Sequence, residues 1–326
     1  MRLTYTALIC AICAALAVHI AAQTKKPAYR APRTSWGAPD IHGDYTNKDE
    51  ANTPLERPAE LDGKDASAFS EADLAQLAKQ RATAAAQFAG GIGGAETGAG
   101  PTHWYDHLQA RGSRPWFIVD PPDGHLPAMT PQAQRHEAAI ALLNDARNGE
   151  GRADSPADRS MYDRCITRGL PGSMMPAIYG NAYRIVQTAD TVAIQYEMIH
   201  ETRIIPLDGR PHAGKAIRLL MGDARGRFDG DTLVVETTNF TGRTHFGYNN
   251  RYNSELEKIT ERFTPIAPGK LNWEVTIADP DVWTRPWTFA MTLTRDDSSP
   301  IFEYACHEGN YGLRDILSGA RSEEKK

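Results

Sequence analysis

The sequence has little excess charge of either sign, and beyond its first 22 residues it has no long apolar run. Its 36 basic residues stand against 41 acidic ones, and the formal net charge is −5. Proteins that bind nucleic acid usually carry a basic face, and those that bind anionic lipid carry basic clusters. We therefore expect neither as a partner. Because a helix needs about 20 apolar residues to cross a bilayer, we also expect no membrane span.

Sequence motifs of several common active sites are missing as well. No Gly-x-Ser-x-Gly segment, which would hold a serine nucleophile on a sharp turn, occurs in the chain. His103 and His107 stand four residues apart, but the glutamate of the zinc-protease motif is absent between them. The glycine-rich stretch 90–100 follows a predicted helix, whereas a phosphate-binding loop follows a strand. We predict no cofactor and no metal, and the sequence leaves open one alternative, a convergence of His200, His212, His245 and His307.

The N-terminus has the three parts of a secretory signal peptide. Arg2 gives it a basic start, residues 8–18 form a short apolar core, and small residues precede a cleavage site after Ala22. The apolar core is too short to span a bilayer as a helix. Residues 1–22 are therefore predicted to be removed during export, which places the mature chain in the periplasm or outside the cell.

Cysteine is scarce, since the chain has four and two of these lie in the predicted signal peptide. The remaining pair, Cys165 and Cys306, is predicted to form a disulfide, because an even pair in an oxidising compartment is usually bonded. The bond would join the segment before the predicted strands to the last of them. Two buried free thiols or one reactive cysteine are the alternatives.

Three regions follow the predicted signal peptide. Residues 23–69 are rich in Pro, Lys, Asp and Asn without clear periodicity, which predicts an extended N-terminal arm lying on the main body. Residues 70–182 are predicted to form helices and loops. In this region Ser70 begins a capping box, Thr130 caps a second helix, and Ser155 caps a short third one.

Residues 183–326 read as a series of short strands with an alternating apolar pattern. Asp229-Gly230 is typical of a tight hairpin turn. One apolar and one polar face per strand indicates antiparallel pairing, and successive hairpins of this kind close into a barrel or fold into a sandwich. We predict a mainly β (α+β) fold, an antiparallel calycin-like β-barrel with the N-terminal helices and arm outside it or across one mouth. Its inner face would include Leu271, Trp273, Val275, Ile277, Trp287, Phe289, Met291 and Leu293.

The densest polar cluster runs from Glu197 to Arg203 within a predicted strand. Alternation along that strand puts His200 on the apolar inner face, with Glu197, Glu201 and Arg203 on the other face. A histidine inside a barrel mouth could act as a general acid or base, since its pKa is near neutral pH. The alternative is a core histidine that is hydrogen-bonded to a backbone carbonyl.

Two further polar groups are candidate site residues. Asp223 and Arg225, together with Arg203, could hold an anionic part of a substrate, although an ion-paired loop that sets a hairpin is the alternative. His307 and Glu308 follow a predicted last strand, 301–306, where a disulfide at Cys306 would make the position rigid. The alternative there is a segment that caps the end of the barrel. The predicted catalytic residues are His200, His307, Glu197 and Glu308, and the predicted substrate-binding residues are Arg203, Asp223, Arg225, Trp273 and Trp287.

Several blocks of the chain resemble a family of exported bacterial proteins. These blocks are 36–40, 119–124, 197–212, 221–240 and 303–313, and the resemblance spans nearly all of the mature chain. No activity is established for that family. The resemblance therefore implies a periplasmic or secreted setting and one compact unit, and it implies no catalytic residue.

Two functions from different classes fit these observations. The first is a cofactor-free enzyme (lyase, isomerase or hydrolase) that acts on a small, partly apolar or aromatic molecule by acid/base chemistry. The second is a lipocalin-like carrier that binds a small apolar ligand against the tryptophan-rich inner face, since a barrel of about eight strands holds one small ligand or a packed core. A structural envelope protein that binds a partner through its loops is a third possibility.

Overall fold

The computed structural model describes residues 29–92, 111–145, 153–246 and 251–324. The predicted signal peptide, the end of the glycine-rich stretch, His103 and His107 lie outside these residues. The described part contains three α-helices, α1 (Glu71–Ile92), α2 (Pro131–Asp145) and α3 (Tyr311–Glu323). None of them combines the length and the hydropathy that a bilayer-spanning segment requires.

Twelve strands are described, most of them short. In chain order they are β1 (Gly43–Thr46), β2 (Ile118–Asp120), β3 (Ala182–Gln187), β4 (Thr191–Tyr196), β5 (Thr202–Pro206), β6 (Asp223–Asp229), β7 (Thr232–Thr238), β8 (His245–Phe246), β9 (Arg251–Tyr252), β10 (Lys258–Ala267), β11 (Lys270–Ala278) and β12 (Trp287–Arg295).

Nine of these strands form a nearly closed antiparallel barrel, as predicted. Their order is β5-β4-β3-β1-β12-β11-β10-β7-β6, so that β1 links the two halves by pairing with both β3 and β12. Strand β2 adds to the edge of β12, and β8 and β9 form a separate hairpin. The strands thus follow one another around the barrel in chain order, from β1 to β12 and back to β1.

The strand count means that this barrel cannot close by antiparallel pairing alone. Every pairing along the sheet is antiparallel, and an odd number of strands cannot alternate in direction around a full circle. Strands β5 and β6 therefore run in the same direction, and among the described strands they end the sheet without a ladder between them. We call this junction the seam.

A glycine allows β5 and β6 to approach each other at the seam. A Cβ atom at Gly226 of β6 would lie 2.7 Å from Ile205 Cγ2 and 2.7 Å from Leu207 Cδ2. Real Cβ atoms do not come that close, so a larger side chain here would push the two strands apart.

The barrel interior is filled by large side chains. The alternating residues of β11 and β12 point inward as predicted, and Trp273, Trp287, Phe263 and Phe289 are fully buried. Ring centroids are 6.2 Å apart for Phe263 and Trp273, 5.5 Å for Trp273 and Phe289, and 5.9 Å for Trp287 and Phe289. These rings pack against one another as in a protein core.

The structure confirms several element boundaries that local sequence signals predicted. Ser70 and Asp73 form the capping box before α1, and Thr130 Oγ1 accepts a hydrogen bond from Ala133 N at the start of α2. The β6–β7 hairpin turns at Gly230 and Asp231, since Asp229 pairs with Thr232. Ser155 caps a one-turn 3-10 helix and forms a capping box with Asp158.

Three expectations about the chain's outer segments were wrong. The arm was predicted to lie on the main body, but its residues 43–46 form β1, which is a strand of the barrel wall. The segment 301–306 is not a strand, and the end of the chain forms helix α3 instead of barrel. A four-residue strand is too short for periodicity to reveal, and the apolar residues of 301–306 contact other parts of the surface without a ladder partner.

Candidate functional site

The predicted disulfide between Cys165 and Cys306 is present, with Cα atoms 5.7 Å apart. It ties residues 301–308, which we call the tethered segment, to the loop around residue 165. The tethered segment lies beside the outward-facing side chains of β3 and β4, Arg184 and Gln195. Two cavities flank this segment.

The first cavity, which we call the tyrosine cleft, has a volume of about 440 Å³. Residues 159–163, 167–169 and 177–179 form its walls, together with Met198 and Thr244. Met198 lies in a one-turn 3-10 helix and the others in loops and turns, and Cys165 stands between the first two wall segments. The disulfide therefore fixes the loop that supplies most of this cavity.

Three tyrosines meet at the boundary between the cleft and the tethered segment. The ring of Tyr304 stacks on that of Tyr179, with centroids 6.3 Å apart and an interplanar angle of 22°. Tyr162 and Tyr179 both act on the pKa of Tyr304, so the three side chains lie close together. Burial raises the pKa of Tyr162 and of Tyr304 above the ordinary phenol range. Both groups are therefore neutral phenols at physiological pH.

Charged groups line the same walls. The Arg168 guanidinium lies 5.5 Å from the centre of the Tyr162 ring, in cation–π geometry. Arg159 Nη2 is 3.4 Å from Oδ2 of Asp163, which stands four residues further along the chain. Thr167 Oγ1 donates a hydrogen bond of 2.7 Å to Oε2 of Glu201, which does not itself line the cleft, and burial raises the pKa of this glutamate.

A buried polar cluster lies behind Thr244, at the far wall of the cleft. Asn253 Nδ2 donates to Thr244 Oγ1 at 3.1 Å and to Glu257 Oε2 at 2.8 Å. Burial, with a smaller contribution from Asp279, raises the pKa of Glu257 to about 8. Glu257 is 4% exposed, so this carboxyl is a buried acid that titrates near neutral pH.

The second cavity, which we call the histidine cleft, has a volume of about 450 Å³. His200 and Glu308, both predicted catalytic residues, line it together with Arg184 and Glu303. His200 Nδ1 is 2.8 Å from the carbonyl oxygen of Tyr304. The structure thus brings two of the four predicted catalytic residues to a common cavity on the outer surface.

His200 does not lie on the inner face of the barrel, contrary to the prediction. Residues Met198–His200 form a one-turn 3-10 helix between β4 and β5, and His200 has φ 47° there and is exposed. This turn breaks the strand that the alternation assumed and shifts its parity by one residue. Inward-facing Tyr196 is consequently followed by an inward-facing Arg203.

Arg203 is therefore buried inside the barrel, whereas the sequence predicted a position on the outer face. It donates to Glu261 and, at 2.9 Å, to Thr237 Oγ1. Trp273 Nε1 donates to the same glutamate at 3.1 Å. Burial alone would lower the pKa of Arg203, but the adjacent Glu261 carboxylate outweighs it and the net direction is upward. Arg203 holds the seam and has no access to a substrate.

The remaining predicted residues lie apart from both cavities. Arg225 Nη1 is 2.5 Å from Asp223 Oδ1, and its Nε donates to the Pro211 carbonyl at 3.0 Å. This pair holds the loop before β6, as the alternative interpretation had it. Of the described residues that line the two cavities, none is Asp223, Arg225, Trp273, Trp287, Glu197 or His307.

Two of these residues make local backbone contacts. Glu197 Oε2 accepts a hydrogen bond from Ala182 N at 3.2 Å, next to the turn that carries His200. The carbonyl of His307 accepts a hydrogen bond from Asn310 N at 3.3 Å, just before α3. Both contacts fix the ends of secondary-structure elements.

Sequence reasoning missed the tyrosine cleft. Its aromatic and basic residues come from loops, where no periodicity groups them. The one available signal was Cys165, since Tyr162 and Arg168 each stand three residues from it along the chain. A disulfide predicts a rigid neighbourhood, but it does not say which side chains will face a cavity.

Among the described residues, no group of three His, Cys, Asp or Glu side chains is placed to hold a metal ion. His200, His212 and His307 do not form such a group. No known protein-family model matches the chain, and no curated protein matches its sequence.

Proposed function

We propose that this chain binds a small, partly aromatic molecule in the tyrosine cleft. The observation that carries the proposal is a cavity of about 440 Å³ with aromatic and apolar walls and a few charged groups. Sites for small molecules have volumes of roughly 300–1,000 Å³ and this mixture of walls. The disulfide beside the cleft supports the further proposal that the mature chain works in the periplasm or outside the cell.

This proposal moves the ligand from the barrel interior to its outer surface. The lipocalin-like alternative needed a hollow barrel lined by Trp273 and Trp287, yet these side chains are at most 1% exposed and stand in contact with other rings. A ligand in that place would have to displace the core. Carriage of a small molecule is therefore better supported in the cleft.

A binding titration with a matched pair of variants tests the proposal. The probes are 2-naphthol, 2-naphthoate and 2-naphthylmethylamine, which share a ring system and differ in charge. Ile178→Trp places a large ring at a cleft wall where the residue is 45% exposed, and Val186→Trp does the same on β3, at 50% exposure, outside the cleft.

We expect at least one probe to bind the mature protein with a stoichiometry of one in isothermal titration calorimetry. Ile178→Trp should weaken this binding at least about tenfold, because it fills the space, while Val186→Trp leaves it unchanged. If no probe binds, or if both variants bind as the unaltered protein does, the cleft is not the site.

Acid/base catalysis in the histidine cleft is a second candidate. The observation in its favour is that His200 and Glu308 line the same cavity, where a histidine and a carboxylic acid could exchange a proton with a bound molecule. Gln at either position would keep the size of the side chain and remove this chemistry.

Hydrolysis of p-nitrophenyl acetate gives a first test of this candidate. We expect His200→Gln and Glu308→Gln each to lower kcat, and His125→Gln, another exposed histidine, to leave it unchanged. Equal rates in all four proteins would reject an acid/base role for this pair in ester hydrolysis.

A further inference from the structure

Two arginines and one aspartate line the tyrosine cleft, and this restricts its ligand. We propose that the ligand is an aromatic carboxylate whose anionic group lies against Arg159 and Arg168. The inference rests on the proposed binding function and adds the chemical class of the molecule. It is argued from the charge, the protonation state and the shape of the described walls.

The charges that line the cleft sum to a positive value. Arg159 and Arg168 contribute two positive charges and Asp163 one negative charge, so the formal charge of the wall is +1. Arg159 is 3.4 Å from Asp163, and the Arg168 guanidinium stacks near the face of Tyr162. Arg168 Nη1 also donates to the Met175 carbonyl at 3.4 Å. A guanidinium has five N–H donors in a planar fork, a geometry that matches the two oxygens of a carboxylate.

The tyrosines add donors without adding negative charge. Burial raises the pKa of Tyr162, which lines the cleft, and that of Tyr304 behind it. A neutral phenol donates one hydrogen bond, whereas a phenolate would repel an anion. The second tyrosine of the wall, Tyr179, stacks on Tyr304. Asp163 is the single acidic residue among the described residues that line the cleft.

The apolar walls suit a flat ring. Tyr162 and Tyr179 present aromatic faces, Ile178 presents a branched chain, and Met161 and Met198 present thioethers, which pack favourably against rings. The cleft therefore offers apolar and basic side chains together. An aromatic ring with one carboxylate carries both kinds of surface.

The test compares two probes that differ only in charge, 2-naphthoate and 2-naphthamide, by calorimetry with the mature protein. We expect naphthoate to bind at least about tenfold more tightly than the amide, as expected when a charge-assisted hydrogen bond is added. Arg168→Gln should remove most of this preference, so that the ratio of the two affinities falls toward one. Arg285→Gln, an exposed arginine paired with Asp120 outside the cleft, should change neither.

The outcomes separate the class of ligand from the existence of the site. Equal affinity for both probes, with no effect of Arg168→Gln, would overturn the carboxylate inference while leaving the cleft as a binding site. Failure of both probes to bind would overturn the proposed function itself. A naphthoate affinity that falls with added NaCl, beside a constant naphthamide affinity, would support the carboxylate inference.

Discussion

Arg203 connects the two ends of the sheet where backbone hydrogen bonds are missing. It belongs to β5 and donates to Thr237 on β7 and Glu261 on β10, across the seam. Arg203 and Glu261 are both buried, so removing one of them leaves the charge of the other without compensation inside the barrel. The two residues therefore act as a pair in the stability of the closed barrel.

We expect Arg203→Met to destabilise the protein by about 3–5 kcal/mol, because Glu261 is left buried without its partner. The double variant Arg203→Met with Glu261→Leu should recover most of this loss, since both charges are then gone. Urea unfolding followed by tryptophan fluorescence measures both. A double variant as unstable as the single one would show that the loss comes from packing instead of charge.

Glu257 should make the stability depend on pH. Its folded pKa of about 8 lies above its unfolded value, so the unfolded chain releases this proton first as the pH rises. The free energy of unfolding therefore falls between about pH 4 and pH 8 from this residue. We expect Glu257→Gln, which stays neutral, to be about 3–5 kcal/mol more stable than the unaltered protein at pH 9 and similar to it at pH 4.

The difference between the variant and the unaltered protein isolates this residue from all other titrating groups. Glu255→Gln is the control, because Glu255 is exposed and paired with Arg218 at the surface. Thermal unfolding at both pH values checks the prediction. If Glu257→Gln raised the free energy of unfolding equally at pH 4 and pH 9, the conclusion that Glu257 is a buried neutral acid would be wrong.

Residue-scale prediction from the sequence worked where alternation was unbroken. Trp273 and Trp287 were placed correctly on the inner face, because long strands preserve their parity. His200 and Arg203 were exchanged between faces, because the turn at Met198–His200 has no proline or glycine to mark it. Ile199 and His200 both have positive φ there, which the sequence gives no reason to expect.

At the scale of elements, the disulfide and the tethered segment form one unit with the tyrosine cleft. The bond joins two cysteines that are 141 residues apart in the sequence. For a loop of this size the chain-entropy model gives a stabilisation of about 5 kcal/mol. Cys165→Ser with Cys306→Ser should therefore lower the free energy of unfolding by about 3–5 kcal/mol.

The same double variant should weaken binding of 2-naphthoate, because Tyr304 would no longer be held against Tyr162 and Tyr179. Calorimetry under conditions where the variant is folded separates the two effects. Unchanged affinity in a less stable variant would show that the disulfide stabilises the fold without shaping the cleft.

The seam depends on Gly226 of β6. We expect Gly226→Ala to destabilise the protein by about 1–3 kcal/mol, since its Cβ would overlap Ile205 and Leu207. Gly214→Ala is a matched control, because no atom lies within 4 Å of the position its Cβ would take. Urea unfolding of the two variants measures the difference. Equal stability would mean that β5 and β6 separate without a penalty.

Elements with strong periodicity were predictable, and those defined by their neighbours were not. The strands from β10 to β12 and the starts of α1 and α2 follow from alternation and capping residues. Strand β1 has four residues and exists because β3 and β12 hold it on both sides. Helix α3 was not predicted, because the polar end of the chain was assigned to the barrel.

At the scale of the whole molecule, the barrel is a packed scaffold, and the two clefts lie on its outer surface. A meander of nine strands leaves one parallel seam, which Arg203 and Gly226 hold from inside. The sequence predicted the barrel and the disulfide. It did not predict the cleft, because the residues that line it come from separate parts of the chain that are close together only in the folded structure.

Methionine methyl groups report directly on where a small aromatic molecule binds. Met161 and Met198 line the tyrosine cleft, whereas Met174 and Met291 are fully buried in the core. In a methyl-labelled sample titrated with 2-naphthoate, we expect the resonances of Met161 and Met198 to shift together and those of Met174 and Met291 to stay in place. A shift at Met291 would put the ligand inside the barrel, and no shift at Met161 or Met198 would contradict binding in the cleft.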